Sequence, residues 1–192
     1  MKPTGILIAL LGFLLGLGRA QVNPTPRFQP TPLEAFAKQP TSHIAWSGEA
    51  GRIDSREAHA VITALVVEDT AQPPDRLRGI RIDLSDQDGK DQVYLGEETL
   101  GVFKDATDQI SRDAAHGCLC ASNGACFVGS CLFRHADGIP SVHTLSAAYY
   151  SGQGSSGLVL DTLGVGRFWF PDQDASRLSA AIARAMSQLK ER

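Results

Sequence analysis

Gly79-Ile-Arg-Ile-Asp-Leu84, Ser85-Asp-Gln-Asp-Gly89 and Val93-Tyr-Leu-Gly-Glu-Glu98 follow one another, and their reading decides the fold. Ile80, Ile82 and Leu84 alternate with Arg81 and Asp83, the period of a strand with one face inward and one in water. Asp88-Gly89 is a hairpin turn signal, and Val93 to Leu95 is the returning strand. Glu97 and Glu98 then suit the positive end of a helix. Leu100, Phe103, Ala106 or Thr107, and Ile110 recur at helical spacing until Gly117 stops the run. Upstream, Ala58 to Glu68 carries Val61, Ile62, Leu65, Val66 and Val67 on both parities, which predicts a strand buried on both faces. Pro73-Pro74-Asp75 separates it from the hairpin.

The second half echoes this pattern. Ala45-Trp-Ser-Gly48 finds a counterpart in Cys126-Phe-Val-Gly129, and His59 to Val66 in His143 to Tyr150. Gly79 to Asp83 matches Gly157 to Asp161, and Val93-Tyr-Leu95 matches Phe168-Trp-Phe170. A second helix over Asp172 to Lys190 buries Ala175, Leu178, Ile182, Ala185, Met186 and Leu189. The offsets run from 75 to 84, which leaves a duplication open, because any two strand-hairpin-helix units look alike at this level. Hairpins outnumber crossovers, so the expected class is α+β: an antiparallel sheet of hairpins with two main helices packed on it, read as two repeats if the echo is real. The body is expected to be one domain, residues 43–192, with possible halves 43–116 and 117–192.

Ahead of it lie a leader and a lead-in. Lys2, the uncharged run Gly5 to Leu17 and Gly18-Arg-Ala20 have the form of a signal peptide over residues 1–20, cut after Ala20. The run is shorter than the ~20 residues that span a bilayer. Gln21 offers no cysteine for a lipid, and no later segment reads as membranous. Asn23 and Asn123 are outside N-glycosylation sequons, and 13 arginines stand against 5 lysines. The expected place is the periplasm or the extracellular space of a bacterium. Residues 21–42 hold Pro24, Pro26, Pro30, Pro32 and Pro40 and read as an extended lead-in. Within it Thr31 as N-cap, Pro32 at N1 and Glu34 at N3 predict a short helix over 32–38, whose expected role is to dock on the body, with binding a partner as the alternative.

Composition excludes some functions. A formal charge of −3 over 192 residues, lower once Lys2 and Arg19 leave with the leader, argues against nucleic acid as a partner. Hydrophobic residues at 43% against 20% charged are enough for a core, which excludes wholesale disorder.

All four cysteines lie within His116-Gly-Cys118-Leu-Cys120 and Cys126-Phe-Val-Gly-Ser-Cys131-Leu-Phe-Arg-His135. In an exported chain an even number points to disulfides. A Cys118–Cys120 bridge would close a strained ring. Of the two remaining pairings, the nested one, Cys120 with Cys126 and Cys118 with Cys131, fits a turn at Asn123-Gly124. The alternative is a metal site of His116, Cys118, Cys120, Cys126, Cys131 and His135, whose thiolates and imidazoles suit copper(I) or zinc.

Other motifs dissolve on inspection. Gly152-Gln-Gly154-Ser155-Ser156-Gly157 satisfies G-x-G-x-x-G, but a strand follows it where a dinucleotide site needs a helix. It reads as a glycine loop. The acidic run Asp83 to Asp91 puts Leu84 and Leu95 where a calcium loop needs carboxylates. Glu97 with Glu98, and Asp172 with Asp174, read as helix-start residues. His59 and His143, at matched places in the echo, are the residues a hydrolase reading would use. The leading expectation is a non-enzymatic binding or inhibitory module, without cofactor, whose partner is another protein. Its expected surfaces are the cysteine hairpin and the face formed by Gly152, Gly154, Ser155, Ser156, Tyr149 and Trp169. A periplasmic metal-binding or redox protein and a hydrolase are the alternatives, and the oligomeric state stays open.

Overall fold

The computed structural model describes residues 30–71, 75–116, 126–128, 145–152, 155–162 and 166–192. A short helix, α1 (Pro32–Ala37), precedes β1 (Ser42–Asp54), β2 (Ala58–Asp69), β3 (Arg76–Asp86), β4 (Lys90–Gly96) and helix α2 (Glu97–His116). Then come β5 (Cys126–Val128), β6 (Leu145–Gly152), β7 (Ser155–Thr162), β8 (Gly166–Pro171) and helix α3 (Gln173–Lys190). All pairs are antiparallel, and each sheet follows chain order, β1-β2-β3-β4 and β5-β6-β7-β8. The fold is α+β, as the hairpins predict. The strands form two meanders, each followed by a helix, the arrangement that two strand-hairpin-helix units would give.

The deciding hairpin forms for the reasons its sequence supplies. Ile80, Ile82 and Leu84 are buried and Arg81 and Asp83 face outward. Asp86 Oδ1 accepts from the amides of Asp88 (2.9 Å) and Gly89 (2.8 Å), so the first carboxylate of the turn holds the turn's own backbone. In β2 the inward residues Ala60, Ile62, Ala64 and Val66 join the main core, while Leu65 and Val67 belong to a smaller cluster on the other face. On α2 the buried stripe is Leu100, Phe103, Thr107 and Ile110, and on α3 it is Ala175, Leu178, Ile182, Ala185 and Leu189.

One core joins the two units. α3, the helix of the second unit, packs on β1 and β2 of the first; α2 packs on α3 and touches β6. Gly51 makes the close approach of α3 feasible, since a Cβ there would lie 2.5 Å from the Cβ of Ala181. Polar bonds fasten the same helix. Arg184 donates to the carbonyl of Ala50, Gln188 Nε2 to that of Glu49 (3.4 Å), and Ser179 to the carboxylate of Asp108 on α2. At its C-terminal end Arg78 donates to the carbonyl of Leu189 (3.3 Å) and Arg76 to that of Arg192 (3.0 Å), satisfying acceptors a helix end leaves open. The Arg192 guanidinium lies 4.8 Å from the centre of the Trp46 ring.

Register shows how far the units correspond. Ile80 pairs with Leu95 and Leu158 with Phe170, so the last strands stand 75 residues apart. That offset continues unbroken into the helices: Leu100, Phe103, Thr107 and Ile110 fall on Ala175, Leu178, Ile182 and Ala185. β3 and β7 are matched as the sequence predicts. The earlier strands are not. Ala64, opposite Ile80, corresponds to Tyr149, opposite Leu158, an offset of 85 rather than the 84 that aligning His59 with His143 requires. Gly48 likewise corresponds to Val128, one residue away from the match of Trp46 with Phe127. A slip of one residue moves every side chain to the opposite face, so the register of β2 and β6 does not follow the match that pairs His59 with His143, and His143 itself lies outside the described residues.

The described part of the lead-in is docked. Thr31 Oγ1 accepts from the amide of Glu34 (3.1 Å), the N-cap bond its position predicts, and its hydroxyl donates to the carbonyl of Tyr94 (2.9 Å). Leu33, 1% exposed, packs with Leu65, Val67 and Tyr94, and Phe36 and Ala37 border them.

Candidate functional site

The two units share a slot on the outward faces of their sheets. Gly79 begins the buried part of β3, and a Cβ there would stand 2.1 Å from the carbonyl oxygen of Leu95 and 2.6 Å from Cδ2 of Leu33. Gly157 holds the equivalent place in β7. Its Cβ would stand 2.4 Å from the carbonyl oxygen of Phe170 and 2.8 Å from the Trp169 indole. Glycine in a strand often marks such close approach. The slot is therefore the same, and its filling differs. In the first unit a leucine from α1 enters from outside the sheet; in the second the indole of the sheet's own Trp169 lies over the glycine. Tyr94, at the position of Trp169, sends its hydroxyl to Oε1 of Gln92 (2.8 Å).

Next to the second slot, on the inward face, Tyr149, Ser156 and Asp172 meet beneath the start of α3. Ser156 donates to Asp172 Oδ2 at 2.6 Å, and the carboxylate lies against the Tyr149 phenol. Burial pushes the Tyr149 phenol up; the Ser156 hydroxyl opposes this and the Asp172 charge adds to it. The role expected for Asp172 at a helix start is corrected: its backbone is already helical and its side chain makes no capping bond. Asp174 is buried, and burial drives its carboxyl up against the pull of Arg177, 3.0 Å away. Glu97 bonds Arg78 at 2.8 Å.

The residues singled out from sequence scatter across these elements. Tyr149 turns inward and Trp169 outward, on opposite faces as their parities require. The glycine loop is corrected: Gly152 and Ser155 pair with each other as strand residues, and Ser156 and Gly157 continue β7. Gly154 lies outside the described residues, as do Cys118, Cys120, Cys131, His135 and His143. Cys126 pairs with Ser151 in β5, and His116 is the last residue of α2. Among the described residues no group of three or more His, Cys, Asp or Glu side chains is placed to hold a metal ion, and no helix is long and apolar enough to cross a membrane. His59 is exposed, with Nδ1 3.1 Å from Asp54 Oδ1. The neighbouring Ser55 hydroxyl is committed to the turn, donating to the carbonyl of Ala58 at 2.8 Å. An acid, a histidine and a serine thus sit in one hairpin with the serine facing its own backbone.

A groove of about 450 Å³ lined by Arg76, Leu77, Arg78, Glu97 and Glu98 opens at the start of β3. Its arginines are spent on Glu68, Glu97 and the end of α3. At the slot over Gly79 a sheet face with a glycine floor and walls of Leu65, Val67 and Tyr94 holds a helical turn by a leucine. Fold and site together describe an α+β structure of two antiparallel meanders, each followed by a helix, with α1 held on the outward face of the first sheet. In comparison with family models, curated proteins and solved structures, the chain matches none.

Proposed function

We propose that this chain is an exported, non-enzymatic binding module that takes an apolar helical segment of a partner protein. The observation that carries the reading is Leu33 seated over Gly79: the outward sheet face already holds a helical turn in cis. Such a face follows the helix-in-groove mode, in which apolar anchors on one helix face supply the contact. The leader read in the sequence supports export, and the even number of cysteines fits disulfide pairing in that compartment. The acidic balance favours a partner with basic residues around its apolar anchor.

The test is made on the full chain produced with its leader. The exported protein is expected to begin at Gln21 and, denatured without reduction, to show no free thiol. A photoreactive residue in place of Leu77, 37% exposed and on the slot's face, is expected to give a protein adduct that excess peptide of residues 30–41 suppresses. The same residue in place of Glu57 should give none. Retention in the cytosol with four free thiols, bound metal by elemental analysis, or an adduct indifferent to the peptide would each overturn the reading. So would turnover of generic ester, glycoside or peptide substrates that a His143→Ala variant loses.

A further inference from the structure

The two slots differ in a way that bears on when the first is open. We infer that α1 is a displaceable plug, occupying in the free protein the site where a partner's leucine-bearing helical turn docks. The inference rests on the binding-module reading and adds that the module is self-blocked.

Four features carry it. The contacts of Leu33 with Leu65, Val67 and Tyr94 form a cluster separate from the main core, so lifting α1 leaves that core closed. α1 has six residues, too few to persist as a helix without its docking contacts. Its docking surface also buries a carboxylate. Glu34 is 3% exposed and bonds Lys38, itself 64% exposed, at 2.5 Å. That ion pair is made within α1 and its C-cap, so it does not tie α1 to the sheet. Finally, in the second unit the same glycine floor is covered by Trp169, a residue of the sheet, which cannot leave. The first unit has Tyr94 at that place, bonded to Gln92, and leaves its floor to a segment outside the sheet. α1 also defines the occupant: a helical turn that enters through one leucine, with small or aromatic residues beside it.

Hydrogen exchange on the full wild-type chain reads the plug directly. The amides of Ala35 and Lys38, bonded to the carbonyls of Thr31 and Glu34, are expected to exchange at least ~100-fold faster than those of Ile62 and Ala64, because local opening runs ahead of global unfolding. Equal protection of the two sets would overturn the inference while leaving the binding reading in place. The second arm uses a fluorescent peptide of residues 30–41 as the probe. It is expected to bind Leu33→Ala chain at least ~10-fold more tightly than wild type, whose slot is open only for a fraction of the time. A peptide with aspartate at the leucine should not bind. Equal binding of the two peptides would overturn the site. A concentration-dependent dimer of wild type that Leu33→Ala abolishes would assign the slot to a second copy and overturn the partner.

Discussion

Two carboxylates with opposite settings show how single residues tune this fold. The Lys104 ammonium and the Ser179 hydroxyl hold Asp108 below the usual carboxylate range, so its stabilisation is complete above about pH 4, the ordinary aspartate value, and is lost as pH falls through the folded value. Asp174 runs the other way. Burial raises it, so the fold prefers its protonated form, and this contribution appears at low pH and is lost as pH rises through the raised value. Urea midpoints at pH 7 and pH 3 are expected to fall less between the two for Asp108→Asn than for wild type. For Asp174→Asn they should fall more, from a neutral value at or above that of wild type. The reverse order would show that the Lys104 and Ser179 contacts do not control Asp108. The Lys104–Asp108 spacing of four was legible in the sequence, but the Ser179 hydroxyl across from Asp108 and the burial of Asp174 depend on how the helices pack. The glycines fared better. Gly79 and Gly157 open matched strand segments, and a glycine in a strand already hints at close approach, though only the fold shows that Leu33 and Trp169 are what approach them.

Among the elements, α1 acts as one switch-like contact. Replacing its cap, Thr31→Ala, should destabilise the protein by about 1 kcal/mol, and Leu33→Ala by about 2–3 kcal/mol, the lower part of the core-leucine range because the slot lies at the surface. Either change can at most release the same six residues. The double variant is therefore expected to lose less than the sum in a denaturation cycle, whereas full additivity would mean that the cap and the leucine act independently. The existence of α1, of the β3–β4 hairpin and of both long helices could be read from caps, turn residues and periodicity, which are local signals. Register in β1, β2, β5 and β6 could not. Matching letters, His59 with His143, placed the strands one residue out, whereas the core places Ala64 with Tyr149 because their partners Ile80 and Leu158 face inward together.

At the scale of the molecule, α3 covers β1 and β2 of the other unit and packs on α2, so the halves depend on each other. A chain ending at residue 116 would lack α3 and leave Ala50, Ile53, Ala60, Ile62 and Ala64 uncovered. The intact protein is expected to melt in one transition by circular dichroism and by tryptophan emission, and fragment 30–116 to show no cooperative melt; a fragment that melted cooperatively would refute this dependence. The echo of the first half in the second hinted at two strand units, whereas alternation alone tells which face of a strand is inward and not which sheet it joins. The attachment of α3 has one more consequence. β1 is a 13-residue strand at the border of its sheet, with bulges after Ile44 and Glu49, and strands of that length are templates on which other chains assemble into fibrils. Arg184 and Gln188 occupy the carbonyls of Ala50 and Glu49 at the second bulge. The bonds that hold the helix in place thus also take up two backbone acceptors in the middle of the longest strand, leaving fewer for another chain to pair with.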